Sequence, residues 1–234
     1  MRTIEINGIK FKFGRHGRGV ITEVFKEDCY NIHSIPKESI VLDIGAHIGT
    51  FALRCAKERD CHVYAYEPSP SNFRFLFENV KLNNLEDKVK IFQKAIGERC
   101  ETREFHTNPE HPAGSSLYLK SHPSFKDKPL MTSNVEVITL KQIFEDNDLT
   151  WCDVMKIDCE EAEREVFTDQ SIPYFSLVGY LILEWHNYDG HVYSDYLGSL
   201  GFDVLLTGTG LPQPPYDPTF ARGMLYAKNM IKGG

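Results

Sequence analysis

One short stretch constrains this chain more than any other: Val41-Leu42-Asp43-Ile44-Gly45-Ala46-His47-Ile48-Gly49-Thr50-Phe51. The run Ser39-Ile40-Val41-Leu42 has the β-branched, two-faced apolar character of a buried parallel strand, and it leads into an acid and two glycines. Ile48, Phe51, Ala52 and Cys55 then recur at i, i+3, i+4 and i+7, the spacing of an amphipathic helix. Strand, loop and helix in that order put Gly45 and Gly49 at the crossing. Glycine there admits positive φ and lets a ligand approach the unpaired N–H groups of a helix start. A ligand-free strand-to-helix turn fits the same pattern, so the next strand has to decide.

That strand, His62-Val63-Tyr64-Ala65-Tyr66, ends at Glu67-Pro68. A carboxylate at a strand's C-terminal edge can accept two hydrogen bonds from vicinal ribose hydroxyls, although an ordinary solvated acid occupies the same kind of position. Ser69-Pro70 reads as an N-cap and first helical residue, with Phe73, Leu76, Phe77 and Val80 as the buried stripe behind it. The dinucleotide fingerprint needs three glycines spaced G-x-G-x-x-G, whereas this loop has two spaced G-x-x-x-G, which argues against NAD. The loop resembles motif I of the class I S-adenosylmethionine-dependent methyltransferases. The resemblance implies that Asp43, Gly45, Ala46, His47 and Gly49 bind the methionine end of that cofactor, with Glu67 and Pro68 at its ribose.

Elsewhere the chain is organised around this core. Ile4 to Phe13 alternates apolar and polar residues about Asn7-Gly8, the signature of a β-hairpin. A helix around Glu23 to Tyr30 is expected to help cover one edge of the active-site face, with Glu23 and Tyr30 either near the cofactor or simply packed and solvated. Lys88 to Gln93 reads as a third strand. In a class I methyltransferase the residues that follow lie beside the adenine ring, so Gln93, Lys94 and Ala95 become cofactor-edge candidates. Regular patterning fails from 106 to 132, where Pro109, Pro112, Pro123 and Pro129 interrupt any helix; this is expected to be a substrate-covering insertion or a plain surface one.

A second chemical stretch follows the strand Val154 to Ile157: Asp158-Cys159-Glu160-Glu161-Ala162-Glu163. Ligands of open α/β sheets sit beyond the carboxyl ends of the strands, so Asp158, Glu160 and Glu163 are expected in the cleft beside the cofactor's sulfonium, with Asp158 a cofactor-binding candidate, while Glu161 and Glu165 read as a solvated helix start. The most apolar run, Ser176 to Leu183, ends in Glu184-Trp185-His186-Asn187. By strand alternation Glu184 and His186 share a side, so they read either as a general base with its orienting acid or as a structural histidine after a core strand. An alternative set, Asp158, Glu184 and His186, would hold a divalent cation such as Mg²⁺ or Mn²⁺; a metal is not favoured. Gln213-Pro214-Pro215-Tyr216 imitates the loop of amino-methylating nucleic-acid enzymes, but it follows the wrong strand and begins with the wrong residue.

Composition narrows the partners. A formal net charge of −7 and a pI near 5.7 supply no basic field, which disfavours nucleic acid. The six cysteines form no C-x-x-C pair, as expected of reduced, structural thiols. The start of the chain lacks the apolar core of a signal peptide and no 18 apolar residues run together, so the expected setting is cytoplasmic and the expected partner is not a membrane.

With these motifs in place the chain resembles the FkbM family of S-adenosylmethionine-dependent methyltransferases. The family pattern has counterparts in Asp43 to Gly49, Glu67-Pro68, Ala95 to Gly97, Met155 to Glu163, and Glu184 to His186. His47 stands where the family usually has Asn, and Glu161 where it usually has Gly. The resemblance implies an α/β, Rossmann-like fold with a seven-stranded, mostly parallel sheet and helices on both faces. Residues 1–37 would be a hairpin and helix extension of a single domain whose methyltransferase part spans 38–234. It also implies O-methylation of a hydroxyl on a small molecule such as a sugar or polyketide. The strand-end positions make His186, Glu184, Asp158 and Glu160 the catalytic candidates for such a transfer. RNA methylation and a cofactor-binding module without turnover are the alternatives.

Overall fold

A computed structural model describes residues 1–14, 17–107, 117, 130–160, 162–186, 190–207 and 222–231. Most of the expected covering segment, together with Glu161 and the Gln213 to Tyr216 stretch, lies outside the described residues. The strands are β1 (Arg2–Ile6), β2 (Ile9–Phe13), β3 (Ile40–Ile44), β4 (His62–Tyr66), β5 (Val89–Phe92), β6 (Lys94–Ile96), β7 (Glu101–Thr107), β8 (Met131–Ile138), β9 (Cys152–Ile157), β10 (Val178–His186), β11 (Phe202–Thr207) and β12 (Arg222–Asn229). The helices are α1 (Gly17–Thr22), α2 (Thr50–Arg59), α3 (Pro70–Leu82), α4 (Leu140–Asp146), α5 (Glu163–Val166), α6 (Ile172–Phe175) and α7 (Gly190–Ser199).

A seven-stranded sheet in the order β11-β12-β10-β9-β3-β4-β5 carries the fold. The five strands from β10 to β5 run parallel, and β12 pairs antiparallel with both β10 and β11. The chain leaves β3 toward β4 and β5, then returns to place β9 on the other side of β3. That reversal is a topological switch point, and it brings the loops after β3 and β9 side by side.

Side-chain alternation divides the sheet into two faces. Val41, Val63, Val154 and Ile182 point to one core, shared with the N-terminal hairpin and α2. Leu42, Tyr66, Met155, Leu181 and Leu183 point to the other, shared with α4, α6 and α7. Each fully buried side chain of this kind contributes about 1.5–3 kcal/mol, against about 0–1 kcal/mol for an exposed ion pair such as Lys88–Asp60, so the two apolar faces set the architecture. No helix among the described residues is long and apolar enough to cross a membrane.

The N-terminal hairpin forms as its Asn-Gly turn dictates, with Ile6 opposite Ile9 and both Asn7 and Gly8 at positive φ. The helix after it starts earlier than the sequence suggests: α1 begins at Gly17 and continues as a π-helical turn, Glu23–Glu27, that stops at left-handed Asp28. Arg54 of α2, only 2% exposed, fixes this segment by donating to the Val24 carbonyl and to Asp28.

Two other expectations are corrected. The irregular stretch expected from His106 to Thr132 is narrower, because His106 and Thr132 are paired across β7 and β8; these strands join β6 in a second, three-stranded sheet in the order β6-β8-β7. In α3, Phe77 is 43% exposed beneath the Lys81 ammonium, and the buried face instead carries Asn72 and Asn79 beside Leu76 and Val80. Asn79 replaces apolar packing with hydrogen bonds: its carboxamide accepts from the Lys12 N–H at 2.6 Å and donates to the Lys12 and Ile48 carbonyls at 3.0 and 2.9 Å. It thereby ties the hairpin and the residue before Gly49 to one helix. Replacing Asn79 with Ala is expected to cost about 2–4 kcal/mol by leaving these groups unpaired, whereas Phe77→Ala should change stability by under about 0.5 kcal/mol; urea denaturation of the two variants checks the contrast.

Candidate active site

The site begins with a charged pair on an otherwise apolar sheet face. Asp43 and Lys156 are directly opposite each other in the register of β3 and β9, at 0% and 3% exposure. The Lys156 ammonium donates to Asp43 Oδ1 at 3.1 Å and to the Gly45 carbonyl at 2.8 Å, and lies 3.5 Å from Asp158 Oδ2. Burial opposes its charge, but Asp43 and Asp158 outweigh that penalty and hold its pKa above the ordinary lysine value. One cation thus clasps the two loops of the switch point together.

Backbone contacts complete the clasp. The Gly45 and Ala46 N–H groups both donate to the Tyr66 carbonyl, and the Asp158 N–H donates to the Ile44 carbonyl. At Gly45, φ is +81° and a Cβ would lie 1.7 Å from the Asp158 carbonyl oxygen. The close approach that requires glycine here is therefore made by the β9 loop. Gly49, also at positive φ, is the N-cap of α2.

Above the clasp is a cavity lined by Val20, Glu23, Tyr30, Gly45, His47, Glu67, Pro68, Asn72, Phe105, Asp158, Cys159, Glu160 and Glu184. Of the cofactor candidates, Gly45, His47, Glu67, Pro68 and Asp158 line it, and Lys94 and Ala95 line an adjoining cavity that shares Gly45, Pro68, Phe105 and Cys159. Asp43, Ala46 and Gly49 lie outside both linings: Asp43 is sealed under the loop by Lys156, and the other two are turned into backbone bonds. Gln93 is exposed and lines neither cavity, because the chain turns there from one sheet into the other.

Glu67 is 5% exposed and held from two sides, by the His47 N–H at 2.7 Å on Oε2 and the Ser69 N–H at 2.8 Å on Oε1. Burial pushes its pKa up to about 7, and these donors together with Asn72 restrain the rise. His47 is held neutral, its pKa lowered to about 4 by burial. Both His47 (φ 52°) and Glu160 (φ 50°) adopt left-handed backbone, which few residues other than glycine occupy, and both line the cavity.

The acceptor end differs from the sequence reading. Glu184, Glu160 and Asp158 line the cavity, but His186 does not; it is 3% exposed, with Nδ1 3.0 Å from Glu163 Oε1, while Nε2 lies 3.7 Å from Glu160 Oε2 and 4.0 Å from Glu184 Oε1. Burial opposes protonation of this ring, yet Glu163, Glu160 and Glu184 hold its pKa well above the usual value. Its ring lies behind the cavity carboxylates and outside the lining, so His186 occupies a supporting position. Its tight partner is Glu163, which is 1% exposed and is not in the cleft as the sequence suggested. Nor is Glu165 a solvated acid, for both its carboxylate oxygens accept from Arg103 Nη1 at 2.7 Å.

Further along, the Tyr30 hydroxyl donates to Asp158 Oδ2 at 3.1 Å. Asp158 is held below the usual carboxylate range, since Lys156 and His186 overcome the effect of burial. Burial raises the Cys159 thiol well above its ordinary pKa, which removes it as a nucleophile. Sequence reasoning gave Lys156 no role and placed Phe105 in no site. A lysine inside a buried parallel strand, on the same face as an acid of the neighbouring strand, is a signal that could have found the first; nothing local announced the second.

The sequence pattern of the Methyltransferase FkbM domain family matches residues 43–204. Methyltransferase 1 of Beauveria bassiana is 26% identical over 179 residues, which span 69% of this chain and 70% of that protein. A tRNA (guanine(37)-N(1))-methyltransferase of Dictyostelium discoideum is 43% identical over 60 residues, 26% of this chain and 13% of that protein. The solved structure of methyltransferase FkbM from Methylobacillus flagellatus shares the fold, with a TM-score of 0.51 at 15% identity over 81% of this chain and 43% of that one.

A buried ion pair contributes little net stability but is costly to break. Lys156→Met is therefore expected to lose about 3–5 kcal/mol by stranding Asp43, and the double variant Lys156→Met, Asp43→Leu to recover most of that loss. Equal losses in the single and double variants, measured by urea denaturation, would contradict the assignment.

Proposed function

Since the chain belongs to the FkbM methyltransferase domain family, we propose that it transfers a methyl group from S-adenosylmethionine to a hydroxyl of a small molecule. The observation that carries this reading is one cavity lined both by Glu67, whose carboxylate would accept from a cofactor's ribose diol, and by the carboxylates Asp158, Glu160 and Glu184. Gly45, His47, Glu67 and Pro68 line the cofactor half. Ala95 takes the adenine side, and Asp158 stands where the halves meet.

Methyl transfer from a sulfonium is an in-line displacement, so alignment of the acceptor oxygen with the S–CH₃ bond supplies much of the rate. The oxygen forms a bond to the methyl carbon, the S–CH₃ bond breaks with its electron pair moving to sulfur, and the hydroxyl proton departs to a cavity carboxylate. Glu160 and Glu184 are the groups placed to orient that hydroxyl. His186 and Glu163 hold the carboxylates' geometry from behind, and Lys156 keeps the two loops in register.

A second reading, methylation of an RNA base, is favoured by the short, closely similar segment in a tRNA methyltransferase. That similarity counts against excluding nucleic acid on acidity alone. Incubation with methyl-labelled cofactor separates the readings: transfer to hydroxylated metabolites supports the first, transfer to tRNA alone overturns it in favour of the second, and cofactor binding without any transfer points to a binding module.

The ribose reading of Glu67 also predicts a pH dependence. Ribose hydroxyls donate to the ionised carboxylate, whose pKa lies at about 7. Protonation on the acid side removes an acceptor, so affinity for S-adenosylmethionine should fall about tenfold between pH 8 and pH 6. In Glu67→Gln, calorimetry should find weaker binding with a flat profile over that range; an unchanged affinity and slope would remove Glu67 from the cofactor.

A further inference from the structure

We propose that Asp158, Glu160 and His186 form a divalent-cation site against the acceptor end of the cavity, the carboxylates from its lining and His186 from behind them, with Glu184 as a fourth ligand. The role given to the cation rests on the methyl-transfer reading; its location does not. One ligand atom from each of the three residues lies within 4.8 Å of the other two. They come from two adjacent elements, the loop after β9 and the C-terminal end of β10, which the sheet register holds side by side.

Carboxylates alone would make a weak case, since acids gather on protein surfaces without an ion. The imidazole distinguishes this group. His186 is 3% exposed, and its Nδ1 is fixed at 3.0 Å by Glu163, a carboxylate itself 1% exposed and anchored by the Cys159 N–H at 3.2 Å. Histidines that ligate metals characteristically carry such a carboxylate on the ring nitrogen remote from the ion. Nε2 then faces Glu160 Oε2 at 3.7 Å and Glu184 Oε1 at 4.0 Å. Those separations exceed hydrogen bonds, and they approach the spacing of about 3.0–3.4 Å between ligands that share an ion through bonds of about 2.1 Å. Tyr30 and Lys156 both meet Asp158 on Oδ2, so Oδ1 lies outside those contacts.

One nitrogen among carboxylate oxygens suits Mn²⁺ or Mg²⁺, with Zn²⁺ as a competitor. Such an ion answers a difficulty in the chemistry, because a hydroxyl is a far weaker acid than any group lining the cavity. A cation beside it lowers that pKa. The proton then passes to a cavity carboxylate, the oxygen attacks the methyl carbon, and the cation is unchanged over the turnover.

The test is Mn²⁺ titration of the chelator-stripped protein, followed by electron paramagnetic resonance of the free ion, with S-adenosylmethionine binding measured by calorimetry on the same preparation. One Mn²⁺ per chain is expected, weakened at least tenfold in Glu160→Gln and in His186→Ala and unchanged in the surface variant Glu145→Gln. A preparation that binds the cofactor but no Mn²⁺, Mg²⁺ or Zn²⁺ overturns the site and leaves the methyltransferase reading standing. Mn²⁺ binding that both site variants retain also overturns it, as adventitious. Site-dependent Mn²⁺ binding without cofactor binding upholds the site and overturns the reading of what it serves.

Discussion

Everything at the top of this sheet depends on a buried ammonium. Lys156 reaches from β9 to the carboxylate of Asp43, the carbonyl of Gly45 and the carboxylate of Asp158, and so touches both loops that bound the cavity. By itself such a pair adds little to stability, because the cost of taking two charges out of water offsets their attraction. Its consequence is positional. With the ammonium in place, the loop after β3 has to lie against the loop after β9, at a distance that only glycine at position 45 allows.

The cavity keeps strain where ligands would bind. His47 and Glu160 both adopt left-handed backbone, a conformation that favours glycine and asparagine. His47 is held there by the bond from its N–H to Glu67, and Glu160 sits between Cys159 and the short α5, whose Glu163 accepts from the Cys159 N–H. The usual asparagine of the resembled family at position 47 is a residue that takes this backbone at lower cost. Histidine there gives the loop an uncharged ring on the cavity wall.

How much was legible in advance follows the range of the interactions. Strand, glycine loop and helix from Val41 onward are local patterns, and the structure has them. So are the hairpin about Asn7-Gly8 and the acid at the end of β4. The alternation along β10 placed Glu184 and His186 together, and they are 4.0 Å apart. What the sequence did not disclose is contact between segments far apart in the chain: Glu163 against His186, Tyr30 against Asp158, and Phe105 of the second sheet in the cavity wall. The expected base has its pKa held well above the usual value because three carboxylates from separate positions surround it, and no local pattern encodes that sum. Phe77 misled for a related reason, since the helical period marks a face but tertiary contacts with β2 decide which residues of α3 it includes.

The central claim is that the cofactor binds where the two clasped loops meet. Hydrogen exchange with and without S-adenosylmethionine, followed by mass spectrometry, tests it most directly. Binding should slow exchange in both the Gly45 to Gly49 loop and the Asp158 to Glu160 loop, with the hairpin turn at Asn7-Gly8 unaffected. Protection confined to one loop, or found only away from both, would contradict the account.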